Sequence, residues 1–192
     1  MEDNDRTVSA ENIKDDASKM VKENAIEDVI KETLQDIYNT GKAVVETASP
    51  EETFALGKML GAMCRTGELY TLIGDLGVGK TVFTQGFAGG LGIEESVNSP
   101  TFTILQIYEE GRLPLYHFDV YRIADVEEMD EVGYEDCFYG EGVCLVEWAD
   151  LIEEILPEQY TQVTIEKDPQ KGFDYRRITL ERRCAAKADK EQ

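Results

Sequence analysis

Apolar residues change their spacing along the chain, and each change predicts an element. Ile26, Ile30, Leu34, Ile37 and Tyr38 recur at helical intervals, which predicts an amphipathic helix over about 21–39, ended by Gly41. Residues 42–47 read as a strand. Ser49, Pro50, Glu51 and Glu52 then supply an N-cap, a proline at the first helical position and first-turn acids. The helix they open carries Phe54, Leu56, Met59, Leu60 and Met63 and ends near Gly67. The continuous apolar run 69–73 predicts a buried strand, and 82–88 a helix that Gly89 and Gly90 stop. Runs 102–108 and 113–118, joined through Gly111, predict a hairpin. An acidic helical stretch with Val126, Met129 and Val132 follows, stopped by Gly133. Then come strand 143–146, a short helix over 149–156 closed by Pro157, and an antiparallel pair, 162–166 with 176–180, around a turn containing Gly172.

A strand and a helix ahead of 69–73 make that strand an interior member of a doubly wound α/β sheet. Three segments are expected: an acidic extension over 1–41, disordered at first and then helical; a catalytic domain over 42–183; and a polar tail over 184–192.

Between strand 69–73 and the next helix stands Gly74-Asp75-Leu76-Gly77-Val78-Gly79-Lys80-Thr81, which matches G-x-x-x-x-G-K-T. Glycines let such a loop turn its backbone N–H groups onto an anion at a helix N-terminus. In this pattern Lys80 reaches the β- and γ-phosphates and the Thr81 hydroxyl ligates Mg²⁺. Hydrolysis also needs acids at the carboxyl ends of neighbouring strands, and two have that placement. Asp119 follows 115–118, and Glu147 follows 143–146. Thr101 and Thr103 are either sensors of a γ-phosphate or strand-start threonines. His117, two residues before Asp119, reads as a packed strand histidine, and Trp148 as either a nucleotide-site or a core residue. Arg176, Arg177, Arg182 and Arg183 are the basic cluster from which one arginine could reach phosphate.

A formal net charge of −21 repels phosphate backbones and disfavours nucleic-acid binding by the chain as a whole. Cys64, Cys137, Cys144 and Cys184 are widely spaced, which fits reduced thiols rather than zinc. The first ten residues are acidic where a signal peptide is basic and then apolar, and no apolar run has membrane-spanning length. A cytoplasmic protein without membrane contact is expected. No N-K-x-D guanine motif, second glycine-rich loop or protein-kinase motif set is present.

Four ordered stretches resemble the bacterial TsaE (YjeE) family, small P-loop ATPases of tRNA threonylcarbamoyladenosine synthesis. They are GDLGVGKTVFTQGFAGGLGI (74–93), SPTFTILQIY (99–108), YHFDVYRI (116–123) and LVEWADLIEEILP (145–157), and the similarity spans about residues 42–181. The resemblance implies a P-loop NTPase-like α/β fold: a mixed sheet with a parallel core, antiparallel flanking strands and helices on both faces. It implies ATP and Mg²⁺, slow hydrolysis in isolation, and action on the TsaB–TsaD pair, with tRNA met only indirectly. Carried onto this chain, Asp75, Gly77, Val78, Gly79, Lys80, Thr81 and Val82 hold phosphates, with Val82 where a second threonine is common. Thr81, Glu147 and Asp119 serve the metal; Lys80, Asp119 and Glu147 serve catalysis; Trp148 lies at the nucleotide. Glu51 and Thr53, near Ser49, lie by the adenine, and Arg177 is a C-terminal strand arginine near the nucleotide. The acidic extension is outside the family pattern. The rival expectations are a small-molecule P-loop kinase and a non-catalytic nucleotide-dependent interaction module.

Overall fold

The computed structural model describes residues 31–184 except 33, 34 and 38. The acidic start, most of the 21–39 helix and the tail from 185 therefore lie outside the described residues. Described residues between 31 and 40 are helical, Ile37 is buried in the core, and Gly41 turns the chain out at φ 77°. The Gly41 N–H donates to the Ile37 carbonyl at 3.0 Å, closing the helix where a left-handed glycine is favoured.

Seven strands form one sheet in the order β1-β7-β6-β2-β5-β4-β3. They are β1 (Lys42–Thr47), β2 (Leu69–Ile73), β3 (Leu105–Tyr108), β4 (Leu115–Asp119), β5 (Val143–Glu147), β6 (Gln159–Lys167) and β7 (Arg176–Cys184). Strands β6, β2, β5 and β4 run parallel, and β1–β7, β6–β7 and β3–β4 pair antiparallel. A parallel core with antiparallel flanks is the expected architecture. The interior place of β2 also holds, but its neighbours are β6 and β5; β1, which precedes it in sequence, lies at the far edge beside β7. Central β2 and β5 are buried on both faces and, apart from Thr71 and the terminal Glu147, are apolar, whereas edge strand β1 alternates.

Strand parity divides the interior. Tyr70, Leu72, Leu115, Val143, Leu145, Ile178 and Leu180 face helices α1 (Pro50–Met63) and α2 (Lys80–Leu91). Leu69, Phe118, Cys144 and Val146 face the other layer, built from α3 (Glu128–Glu131), α4 (Tyr134–Phe138) and the 3₁₀ segment Ala149–Ile155. That segment is the short helix expected over 149–156, wound as 3₁₀.

α1 begins as expected. Ser49 Oγ accepts the Glu52 N–H at 3.2 Å, and Glu52 reaches back to the Ala48 N–H at 2.7 Å. No basic residue occupies its last turn; instead Arg112, from the β3–β4 turn, donates to the Gly61 and Cys64 carbonyls at 2.6 and 2.7 Å.

Two expectations fail for identifiable reasons. Gly89 and Gly90 do not stop α2, which continues to Leu91 and ends at Gly92, φ 84°. Gly90 is instead a contact glycine: a Cβ there would lie 2.0 Å from the Lys58 carbonyl oxygen. Gly57, Gly61 and Gly86 make equally close backbone approaches between α1 and α2. The strand expected from 102 begins only at Leu105. Residues 100–104 turn tightly, with the Thr103 and Ile104 N–H groups both donating to the Pro100 carbonyl and Ile104 at φ 63°. The Thr101 hydroxyl is engaged by a carboxylate, which outweighs its strand propensity.

Candidate active site at the start of α2

The two long helices begin differently. α1 is capped by its own serine and has acids in its first turn; α2 has Gly79 at φ 109° as its N-cap, with no side-chain cap and no first-turn acid. Its leading N–H groups are thus left to an external anion, in line with the dipole. Gly77 at φ 71° and Gly74 at φ 153° shape the approach. Lys80 Nζ donates to the Gly74 and Asp75 carbonyls at 2.7 and 3.1 Å and lies 3.8 Å from the centroid of the Trp148 ring. Burial pulls the Lys80 ammonium below its ordinary value, while Glu147, Asp119 and Asp75 push it back up.

Asp119 and Glu147 end adjacent parallel strands and are direct register partners. Both are buried, at 3% and 2% exposure, and sit on the α1/α2 side of the sheet by strand parity. Asp119 Oδ2 accepts from Thr101 at 2.7 Å and from Ser99, and Oδ1 accepts the Tyr121 N–H at 3.1 Å. The Asp119 N–H donates to the Ile104 carbonyl at 2.9 Å, so both chain and side chain of this acid are tied to loop 99–104. Glu147 Oε1 meets His117 Nε2 at 3.0 Å and the Thr84 hydroxyl at 3.4 Å. Trp148, the next residue, adopts φ 62° and ψ 32°. With Ile104 it is one of two described non-glycine residues at positive φ, each beside one of the acids; such backbone costs of order 1 kcal/mol or more.

Leu76, Gly77, Gly79, Lys80, Thr81, Val82, Ser99, Thr101, Asp119, Tyr121, Glu147 and Trp148 line one open cleft of about 400 Å³. It therefore gathers residues from the glycine loop, loop 99–104 and the ends of β4 and β5 at the carboxyl edge of the parallel strands. The donors fit the expected ligands. The loop offers backbone amides to phosphate, and the Thr81 hydroxyl with two carboxylates offers hard oxygen to Mg²⁺. Among the described residues no group of three His, Cys, Asp or Glu forms a metal cage.

The other expected residues fall as follows. Thr53 is buried at the first turn of α1, hydrogen-bonded to Thr47 at 2.8 Å and to the Ser49 carbonyl. Thr47 pairs with Arg176, whose guanidinium donates to the Val78 carbonyl, so the start of α1 adjoins the glycine loop. Glu51 is exposed on the outer side of that turn. Arg177 is not brought to the loop. It is exposed and of opposite parity to Arg176, Ile178 and Leu180, whose side chains face the loop and helices. The apolar parity of Ile178 and Leu180 is the sequence signal that singles out Arg176. Ser99, Tyr121 and Thr84 were missed, because a hydroxyl or ring in a loop or helix carries no local mark of what it will meet.

Fold and site together define a P-loop-like α/β domain. The family model for "Threonylcarbamoyl adenosine biosynthesis protein TsaE" matches residues 47–178. The tRNA threonylcarbamoyladenosine biosynthesis protein TsaE of Bacillus subtilis is 54% identical over 134 residues, covering 70% of this chain and 82% of that protein. Its counterpart from Treponema pallidum is 43% identical over 117 residues, covering 61% and 86%. The crystal structure of B. subtilis YdiB superposes with a TM-score of 0.64 at 46% identity, over 75% of this chain and 86% of that one. The chain belongs to the TsaE family.

Proposed function

We propose that the cleft binds Mg·ATP and hydrolyses it, slowly in isolation, in support of threonylcarbamoyladenosine formation at position 37 of tRNAs. In this reading the protein acts on a TsaB–TsaD complex and does not itself transfer the threonylcarbamoyl group. The observation that carries the proposal is the uncapped start of α2 with Lys80, facing two buried strand-end carboxylates across one cleft. Family membership supports the pathway, and the net charge of −21 supports leaving the tRNA to partners.

Each residue then has a task. The α2 amides and Lys80 receive the phosphates, with Lys80 exchanging the Gly74 and Asp75 carbonyls for phosphate oxygens. Thr81, Glu147 and Asp119 would hold the magnesium, which would supply divalent positive charge to the phosphates. One of the two carboxylates orients the attacking water. Asp119, through Ser99 and Thr101, links the phosphate end of the site to loop 99–104, so occupancy can move a surface that a partner reads.

The test is ATP hydrolysis by the purified protein, alone and with cognate TsaB and TsaD, with Lys80→Ala as control. Stimulation by the pair that the variant loses is expected. No stimulation, with phosphate passing to a metabolite in an acceptor screen, would replace this reading with a kinase. Tight ATP binding without turnover under any condition would leave a nucleotide-dependent interaction module.

A further inference from the structure

His117 is fully buried on β4, and the β4–β5 register sets it beside Leu145, two positions before the Asp119–Glu147 pair. Its Nε2 lies 3.0 Å from Glu147 Oε1. Thr84 approaches the same oxygen at 3.4 Å, but its hydroxyl has a nearer acceptor in the Lys80 carbonyl at 3.0 Å. A hydroxyl has one proton to donate, so the donor on which Glu147 Oε1 depends is the imidazole. That bond assigns a proton to Nε2. Nδ1 is buried with no hydrogen-bond partner among the described residues.

This is a costly way to fill space. Buried polar atoms are nearly always partnered, and a leucine would fill the position without stranding a nitrogen. What leucine lacks is the Nε2–H. With Oε1 held, Oε2 is left without a hydrogen bond among the described residues, on a side chain that lines the cleft with Lys80 and Thr81.

Resting on the Mg·ATP reading above, we infer that His117 is a positioning residue. It grips Glu147 Oε1 from one step back along the same α1/α2 face of the sheet, so that Oε2 is the oxygen offered to the divalent cation, and it thereby sets how strongly the metal reinforces nucleotide binding. Partners that orient a ligating carboxylate typically govern metal affinity by about 10–100-fold.

The experiment measures the Kd of the full-length chain for ATP by calorimetry, with Mg²⁺ and with EDTA, and takes the ratio. His117→Leu should reduce the Mg²⁺ enhancement by about tenfold or more while leaving the EDTA value unchanged. His117→Gln, whose amide nitrogen reaches as far as Nε2, should keep most of the enhancement. His117→Asn, whose amide stops at the Nδ1 position, should not, and this pair decides the matter if the leucine variant fails to fold. In a Glu147→Gln background, His117→Leu should change the ratio no further. An intact ratio with a lowered melting temperature, or equal weakening with and without metal, would make His117 a packing residue and overturn the inference alone. A wild-type chain that binds no nucleotide in either condition would remove the proposed function and this inference together.

Discussion

Adjacent glycines in α2 should respond to the same substitution with opposite sign. A Cβ at Gly90 would lie 2.0 Å from the Lys58 carbonyl oxygen and 2.7 Å from the Ala62 nitrogen, both backbone atoms of α1. Ordinary contact begins at 3.4 Å, so relief requires α1 and α2 to part locally by about 1.4 Å, the difference between 3.4 and 2.0. Neither atom can rotate away. Overpacking of this kind costs about 1–3 kcal/mol and more when backbone must move, whereas alanine returns about 1 kcal/mol of helix propensity. Because only backbone can move, the upper end of that range applies, and Gly90→Ala should destabilise by about 2 kcal/mol net, lowering Tm by about 4–8 °C at 2–4 °C per kcal/mol. At Gly89 the nearest atom to a new Cβ is Phe54 Cζ at 3.6 Å, an ordinary contact with a mobile ring. Gly89→Ala should stabilise by about 0.5–1 kcal/mol. Thermal and urea unfolding of the two variants beside the parent are the assay. Equal shifts, or a Gly90→Ala chain as stable as the parent, would refute the close-packed account of these helices. Because α2 carries the phosphate loop at its other end, Gly90→Ala should also weaken ATP binding, and Gly89→Ala should not.

Lys80→Ala should abolish tight ATP binding, whereas Glu147→Ala should spare binding more than turnover; equal loss of both in both variants, by calorimetry and phosphate release, would contradict those roles. Arg176→Ala frees the Val78 carbonyl and should weaken ATP binding by about tenfold, the scale of one charge-assisted hydrogen bond, while Arg177→Ala leaves it unchanged; the opposite order would return the phosphate-loop role to Arg177. Ser49→Ala removes the cap of α1 and should cost about 1 kcal/mol in urea unfolding; no loss would mean Glu52 alone suffices. Burial pushes the Cys64 thiol from 9.0 up to about 11. The unfolded chain therefore loses that proton first, and the contribution of Cys64 to stability, full below pH 9, should fall between pH 9 and 11. Unfolding at stepped pH, with Cys64→Ala for comparison, checks the sign.

The local elements and the chemistry at their ends are legible in the chain alone. Ser49-Pro50-Glu51-Glu52 specifies a helix start, and Gly77, Gly79, Lys80 and Thr81 specify an open one. The apolar runs of β2 and β5 declare strands buried on both faces, and Asp119 and Glu147 announce themselves by standing where such strands end. These signals are local, because capping, turn geometry and side-chain alternation act over a few residues. Tertiary structure decided what depends on meeting a distant segment. Gly89-Gly90 carries the same local signature whether it ends a helix or admits a neighbouring backbone, and only the approach of α1 chose. Thr101 has strand propensity, yet a carboxylate eighteen residues later drew it into a turn. Arg176 and Arg177 differ in sequence by one position and in space by a whole sheet face. His117 reads as a core histidine and is one; that it grips Glu147 followed only when β4 and β5 lay side by side in register, because hydrogen-bond partners are set by the fold rather than by the chain.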